Sequence, residues 1–244
     1  MKLRGAVALV TGGAKRVGKA VALGLARRGA HVAITYRSSA SEAETAVRQL
    51  RRFGVRAMAV AAEQTDIGQI RAAVRIVEQQ FGRIDVLVNS ASNFYPTPFA
   101  SVTEAQWDDL VNVNLRAAFF FAQAVAPGMH RRRRGKVINM ADVAVWSPWP
   151  EYLPYTVAKG GIVTLTRGLA KAMAPHVQVN AIAPGPILRP PDLSAADARR
   201  AQAKTLLKRW GSPDDIVQTI LYFVEGTDFV TGQVLAVDGG RLLS

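Results

Sequence analysis

The sequence predicts an α/β protein built on a parallel sheet. Seven short apolar runs, at 6–11, 31–36, 55–60, 84–89, 136–140, 177–182 and 233–237, alternate with longer stretches of helical periodicity. Runs such as Ile84-Asp85-Val86-Leu87-Val88 are nearly continuous in apolar character, as strands covered on both faces are. Strands that alternate with helices in this way imply right-handed crossovers between parallel neighbours. The chain has 244 residues, 49% of them apolar, and no linker, repeat or low-complexity stretch divides it. Residues 1–244 are therefore expected to form one domain.

Composition narrows the functional classes. No charge-free apolar run is long enough to span a bilayer, so no membrane association is expected. The start, Met1-Lys2-Leu3-Arg4-Gly5, lacks the apolar stretch of a signal peptide, which points to a cytoplasmic protein. Cysteine is absent and the three histidines are isolated, so no metal site is expected. The formal charge of +13 favours anionic ligands. Its densest run, Arg131 to Arg134, reads as a solvated loop between a helix and a strand. With no groove-reading motif and no interleaved aromatic–basic surface, a nucleic-acid partner is not expected.

The first strand ends at Thr11-Gly12-Gly13, and Gly18 closes the turn as a helix begins. Glycines there let backbone N–H groups approach a pyrophosphate, and the helix N-terminus favours negative charge. Gly12, Lys15, Arg16, Val17 and Gly18 are the candidate phosphate cradle. The cations Lys15 and Arg16 stand where another glycine might be expected. The second strand exits at Tyr36-Arg37-Ser38. A carboxylate at this point would bind ribose hydroxyls and select NAD. An arginine instead presents planar donors matched to a phosphate. Arg16 and Arg37 converging on a ribose 2′-phosphate would select NADPH.

Farther along, helices are expected to end at Gly29, Gly54 and Gly82. Ser101-Val102-Thr103-Glu104 reads as a capping box before a helix reaching about Ala126, and Ser212-Pro213-Asp214-Asp215 as a second helix start. Two Pro- and Trp-rich stretches, 141–151 and 184–195, should lie beyond strand C-terminal ends, where open α/β sheets bind ligands. Tyr155 and Lys159 are four residues apart, so a helix carries both on one face. The ammonium should lower the phenol's pKa and make Tyr155 a proton donor, while also reaching the nicotinamide ribose.

Ordered along the chain, Thr11-Gly12…Gly18, Thr65-Asp66-Ile67, Asn89-Ser90-Ala91, Asn112-Val113-Asn114, Tyr155…Lys159, Asn180…Pro184-Gly185 and Val237-Asp238-Gly239-Gly240 resemble the classical short-chain dehydrogenases/reductases. The resemblance implies a Rossmann fold with a seven-stranded sheet, a homotetramer and a nicotinamide cofactor. It places Asp66 and Ile67 at the adenine, Asn89 and Ala91 along the cofactor, and Pro184 and Gly185 at the nicotinamide amide. It also has Asn114 support Lys159 through water.

One departure stands out. The family usually has a serine thirteen residues before the tyrosine, and this chain has Asp142. With the arginine in the turn and Ser92-Asn93-Phe94, the chain is similar to the pteridine reductases, whose turn reads TGxxxRxG. That similarity implies reduction of a dihydropterin. Phe94 would stack the ring, Ser92 and Arg16 would contact cofactor or pterin, and Asp142 would assist proton delivery by Tyr155. The alternative is a carbonyl or 3-oxoacyl-thioester reductase of the same family. A non-catalytic NADP-binding regulator would not need the set Asn114, Tyr155 and Lys159.

Overall fold

The computed structural model describes residues 1–189 and 193–244; of the 184–195 stretch, positions 190–192 lie outside the described residues. Seven strands form one parallel sheet: β1 (Val7–Val10), β2 (His31–Tyr36), β3 (Ala57–Ala61), β4 (Val86–Asn89), β5 (Gly135–Met140), β6 (Val177–Pro184) and β7 (Val234–Val237). They lie in the order β3-β2-β1-β4-β5-β6-β7. The order reverses between β1 and β4, and a crevice opens there above the strand C-terminal ends. The apolar runs imply the parallel sheet, and the family resemblance its seven-stranded Rossmann arrangement.

Among the described residues, eight α-helices connect the strands: α1 (Arg16–Arg27), α2 (Ala40–Arg51), α3 (Ile67–Phe81), α4 (Glu104–Val111), α5 (Ala117–Arg131), α6 (Leu153–Ala172), α7 (Ala195–Ala203) and α8 (Pro213–Leu221). One apolar layer joins α1, α2 and α8 to one face of the sheet, centred on Val10, Ile34, Val88 and Ile216. Another joins α3 and α5 to the opposite face through Leu9, Leu87, Phe121 and Val137. Covering both faces explains why the central strands are apolar at nearly every position.

Sequence signals place most helix ends. Gly29, Gly54 and Gly82 turn at φ +87°, +73° and +82°. Ser212 and Asp215 form a capping box around Pro213. The box before α4 differs from expectation: Thr103 pairs with Gln106 in place of Ser101 with Glu104, because the helix starts at Glu104. The helix also outruns its expected end. A π-turn at Asn112–Arg116 links α4 to α5, which continues through Pro127 to Arg131. Packing on the sheet outweighs the local cost of the proline. The arginine run is also less free than a solvated loop. Arg131 closes α5, and the Arg132 guanidinium donates to the Ile84 carbonyl at 2.6 Å. Among the described residues, no helix is long and apolar enough to cross a membrane.

Candidate active site

A cavity of about 740 Å³ opens at the β1/β4 switch. Its floor is the turn after β1. Thr11 ties that turn to the end of β4: its hydroxyl accepts the N–H groups of Ser90 and Ala91 at 2.9 and 3.0 Å. Gly12 lies at φ +64°, and a Cβ there would fall 2.8 Å from the Ala91 Cα. A Cβ on Gly18 would meet the Gly12 carbonyl oxygen at 2.4 Å. No side chain caps the N-terminus of α1, and its first turn holds no acidic residue. This turn fits a dinucleotide pyrophosphate: close backbone, free N–H groups and a favourable dipole.

Gly12, Lys15, Arg16, Val17 and Gly18 line the cavity, as do Tyr36, Arg37 and Ser38. Arg16 takes φ +49°, a conformation costly for a side chain with a Cβ. Lys15 reaches Glu42 at 2.7 Å, and Arg37 stands 4.0 Å from Glu63. These pairs are exposed and leave the cations open to a stronger anion. Ala91, Ser92, Pro184 and Gly185 also reach the wall.

Three expected cofactor contacts do not line the cavity. The Asp66 carboxylate instead caps α3 by accepting the Gln69 N–H at 3.1 Å. Ile67 begins that helix, and Gln64 lines the cavity in their place. Asn89 is buried, and its amide donates to the Asn139 side chain at 2.8 Å. It holds β4 to β5 and leaves Ser90 and Ala91 at the surface of the crevice.

Opposite the turn, α6 brings Tyr155 and Lys159 to the cavity, both buried. Asp142 follows β5. Its carboxylate accepts the Ala144 N–H at 2.8 Å and the Tyr155 hydroxyl at 2.7 Å. Lys159 donates to the Met140 carbonyl at 2.9 Å, and its Nζ lies 5.6 Å from the centre of the Tyr155 ring. The expected lowering of the tyrosine's pKa is therefore reversed. Burial, and then the Asp142 charge and hydrogen bond, hold the phenol well above its ordinary value. Burial also raises Asp142 and lowers Lys159, the latter to about 8. The i, i+4 spacing places the lysine beside the ring, but the carboxylate occupies the hydroxyl.

Asn114 lies in the π-turn between α4 and α5. Its amide donates to the carbonyls of Asn93 and Leu110, each at 2.9 Å, and its oxygen accepts the Ser92 hydroxyl at 2.5 Å. It holds the 92–98 loop. Asp109 anchors the same loop by accepting Asn93 amide and Tyr95 hydroxyl hydrogens. Burial, and then Asp109, push Tyr95 up to about 12. The Thr97 N–H donates to the Glu151 carbonyl at 2.7 Å and joins this loop to the next. Phe94 consequently stacks on Tyr152, with centroids 4.6 Å apart and planes 4° apart, and meets Tyr155 edge-on at 4.8 Å. One Phe94 face is thus taken by Tyr152, and the ring remains 50% exposed. Trp149, Tyr152, Trp210 and Arg241 also line the cavity without being singled out by the sequence. Trp149 belongs to the 141–151 stretch expected near the ligand, and Tyr152 follows it; Trp210 and Arg241 come from later segments and carry no spacing signal.

The Lys159 value gives a pH prediction. The lysine is cationic below about 8 and loses that charge as pH rises through it. The kcat/KM for NADPH, which reports groups of the free enzyme, should be level near neutrality and fall above about pH 8. A level profile to pH 10 would detach Lys159 from cofactor capture.

The family described as enoyl-(acyl carrier protein) reductase matches residues 12–241. The 3-oxoacyl-[acyl-carrier-protein] reductase FabG of Staphylococcus aureus is 34% identical over 240 residues, covering 97% of this chain and 98% of that protein. The 5-keto-D-gluconate 5-reductase of Escherichia coli is 36% identical over 248 residues, covering 99% and 97%. Among solved structures, a blue fluorescent protein from a metagenomic library in complex with NADPH superposes with a TM-score of 0.90, at 32% identity and 99% coverage of both chains. An NAD+-bound xylitol dehydrogenase superposes at 0.92 with 26% identity, covering 98% of this chain and 100% of that one. Fold and site together define an oxidoreductase that works with a nicotinamide dinucleotide. The chain belongs to the short-chain dehydrogenase/reductase family.

Proposed function

We propose that this chain is an NADPH-dependent reductase with Tyr155 as proton donor, acting on a pterin-type nitrogen heterocycle. NADPH supplies a hydride when bound. Arg16 and Arg37 are assigned to its 2′-phosphate, the turn to its pyrophosphate, and Lys159 to its nicotinamide ribose. Tyr155 gives its hydroxyl hydrogen to the ring nitrogen beside the reduced carbon. The Asp142 carboxyl, raised by burial, is placed to return a proton to the phenol.

The observation behind the pterin reading is the 2.7 Å Tyr155–Asp142 hydrogen bond at a position where the family usually has serine. Ionised, Asp142 repels a carbonyl oxygen but can accept from an N–H of a heterocycle; protonated, it can donate to either. The open face of Phe94 adds a surface for a planar ring.

The curated relatives give more support to a second reading, because both are carbonyl reductases. Ketone reduction, including that of 3-oxoacyl thioesters, needs the same Tyr155 proton and the same cofactor. We further propose that the chain acts in the cytoplasm as a homotetramer, on which neither mechanism depends.

The deciding experiment is NADPH oxidation with dihydrobiopterin, 3-oxoacyl thioesters and 5-keto-D-gluconate, using wild type and Asp142→Ser. On the pterin reading, wild type reduces dihydrobiopterin, and Asp142→Ser lowers that kcat by about 100-fold. Turnover of the ketones alone, improved by the serine, would establish the second reading.

A further inference from the structure

A second cavity of about 530 Å³ lies against the catalytic one. Val143, Trp149 and Arg241 line both, and Trp146 and Leu242 extend its apolar wall. The backbone around Arg241 is firmly placed. Gly239 and Gly240 turn at φ +63° and +78°, and the Asp238 carboxylate accepts the N–H groups of Gly240 and Leu242, each at 2.9 Å. The Gly239 carbonyl accepts the Leu207 N–H at 3.1 Å.

The Arg241 side chain is half-buried and, among the described residues, makes neither an ion pair nor a hydrogen bond. Asp142 is a carboxylate that feels its charge, yet both oxygens there are engaged by Ala144 and Tyr155. A guanidinium held between two cavities without a partner is matched to a planar or tetrahedral oxyanion.

We infer that the second cavity extends the substrate site, and that Arg241 binds a carboxylate or phosphate carried on the substrate away from its reducible bond. The apolar wall takes the spacer between the two. This rests on the reductase reading and adds a substrate class to it: an anionic arm on a reducible head. A carboxylated pterin and a keto acid share that chemistry, so the test separates them.

Wild type, Arg241→Met and Arg241→Lys are assayed with NADPH on two matched pairs. The first is 7,8-dihydrofolate against 7,8-dihydrobiopterin, and the second is 5-keto-D-gluconate against its methyl ester. For the pair that is reduced, Arg241→Met should raise KM for the charged member at least about tenfold. The neutral member's KM and both kcat values should stay within about twofold, and Arg241→Lys should recover part of the loss. Equal losses on charged and neutral members, or a fall in kcat alone, would mean that Arg241 acts through Asp142 and would overturn the assignment.

Calorimetric titration of the NADPH-loaded protein with 4-phenylbutyrate and 4-phenyl-1-butanol reads the site without turnover. Binding of the acid in wild type, lost in Arg241→Met, supports the subsite even if neither pair is reduced, an outcome that counts only against the reductase reading. Equal affinity for acid and alcohol, or no binding of either, would overturn the subsite.

Discussion

Replacing Tyr155 with phenylalanine is expected to lower kcat by about 10³-fold, within the range a positioned general acid supplies. The Tyr155 ring packs edge-on against Phe94, and a phenylalanine keeps that contact. Only the hydroxyl donating to Asp142 is lost. NADPH affinity should therefore change by less than about threefold, since the hydroxyl is assigned to chemistry and not to uniform binding. Single-turnover NADPH oxidation alongside fluorescence titration of the cofactor makes the check. Turnover retained in the variant would remove Tyr155 from its role and leave the Asp142 pairing unexplained.

The second large effect concerns cofactor choice. Arg37 follows β2, lines the cavity and sits 4.0 Å from Glu63 in a loose, solvent-exposed pair. A charge-assisted contact to phosphate is worth about 1.5–3 kcal/mol, and reversing the charge adds repulsion. Arg37→Asp should thus weaken NADPH by about 100-fold or more while leaving NADH within about threefold. Both dissociation constants, measured at one ionic strength, decide it. Equal losses for the two dinucleotides would show that Arg37 meets something common to both, such as the adenosine, and would leave the 2′-phosphate to other groups. The NADPH-bound and NAD+-bound structural relatives make this comparison worth running in both directions.

Much of the fold was readable because burial on both faces forces apolar strands. The run at 31–36 matches β2 at both ends, and 136–140 misses β5 by one residue. Helix limits were harder where tertiary packing overrides local preference. Pro127 looks like a stop, yet α5 buries Phe121, Val125 and Met129 against the sheet and continues past it. The cofactor turn was legible because its demand on backbone space falls on adjacent residues.

The catalytic electrostatics were less legible. Spacing put Tyr155 and Lys159 on one helix face, but could not show that burial, and then the Asp142 pairing, would reverse the shift. Nor could it show that Asn114 would hold the 92–98 loop through direct hydrogen bonds. Trp149 and Tyr152, from the loop before α6, meet Arg241, from the segment after β7, only once the chain has folded. No periodicity or motif links them beforehand.

The left-handed backbone at Arg16 bears on any effort to make this protein withstand heat. Exchanging a positive-φ residue for glycine relieves its strain against glycine's greater entropy loss on folding, and Arg16, Arg133 and Lys208 are the sites, at φ +49°, +53° and +52°. Only Arg16 of the three borders the cofactor cavity. An engineer should relax the other two and leave this one alone, since the strain there accompanies a cation in the nucleotide's path.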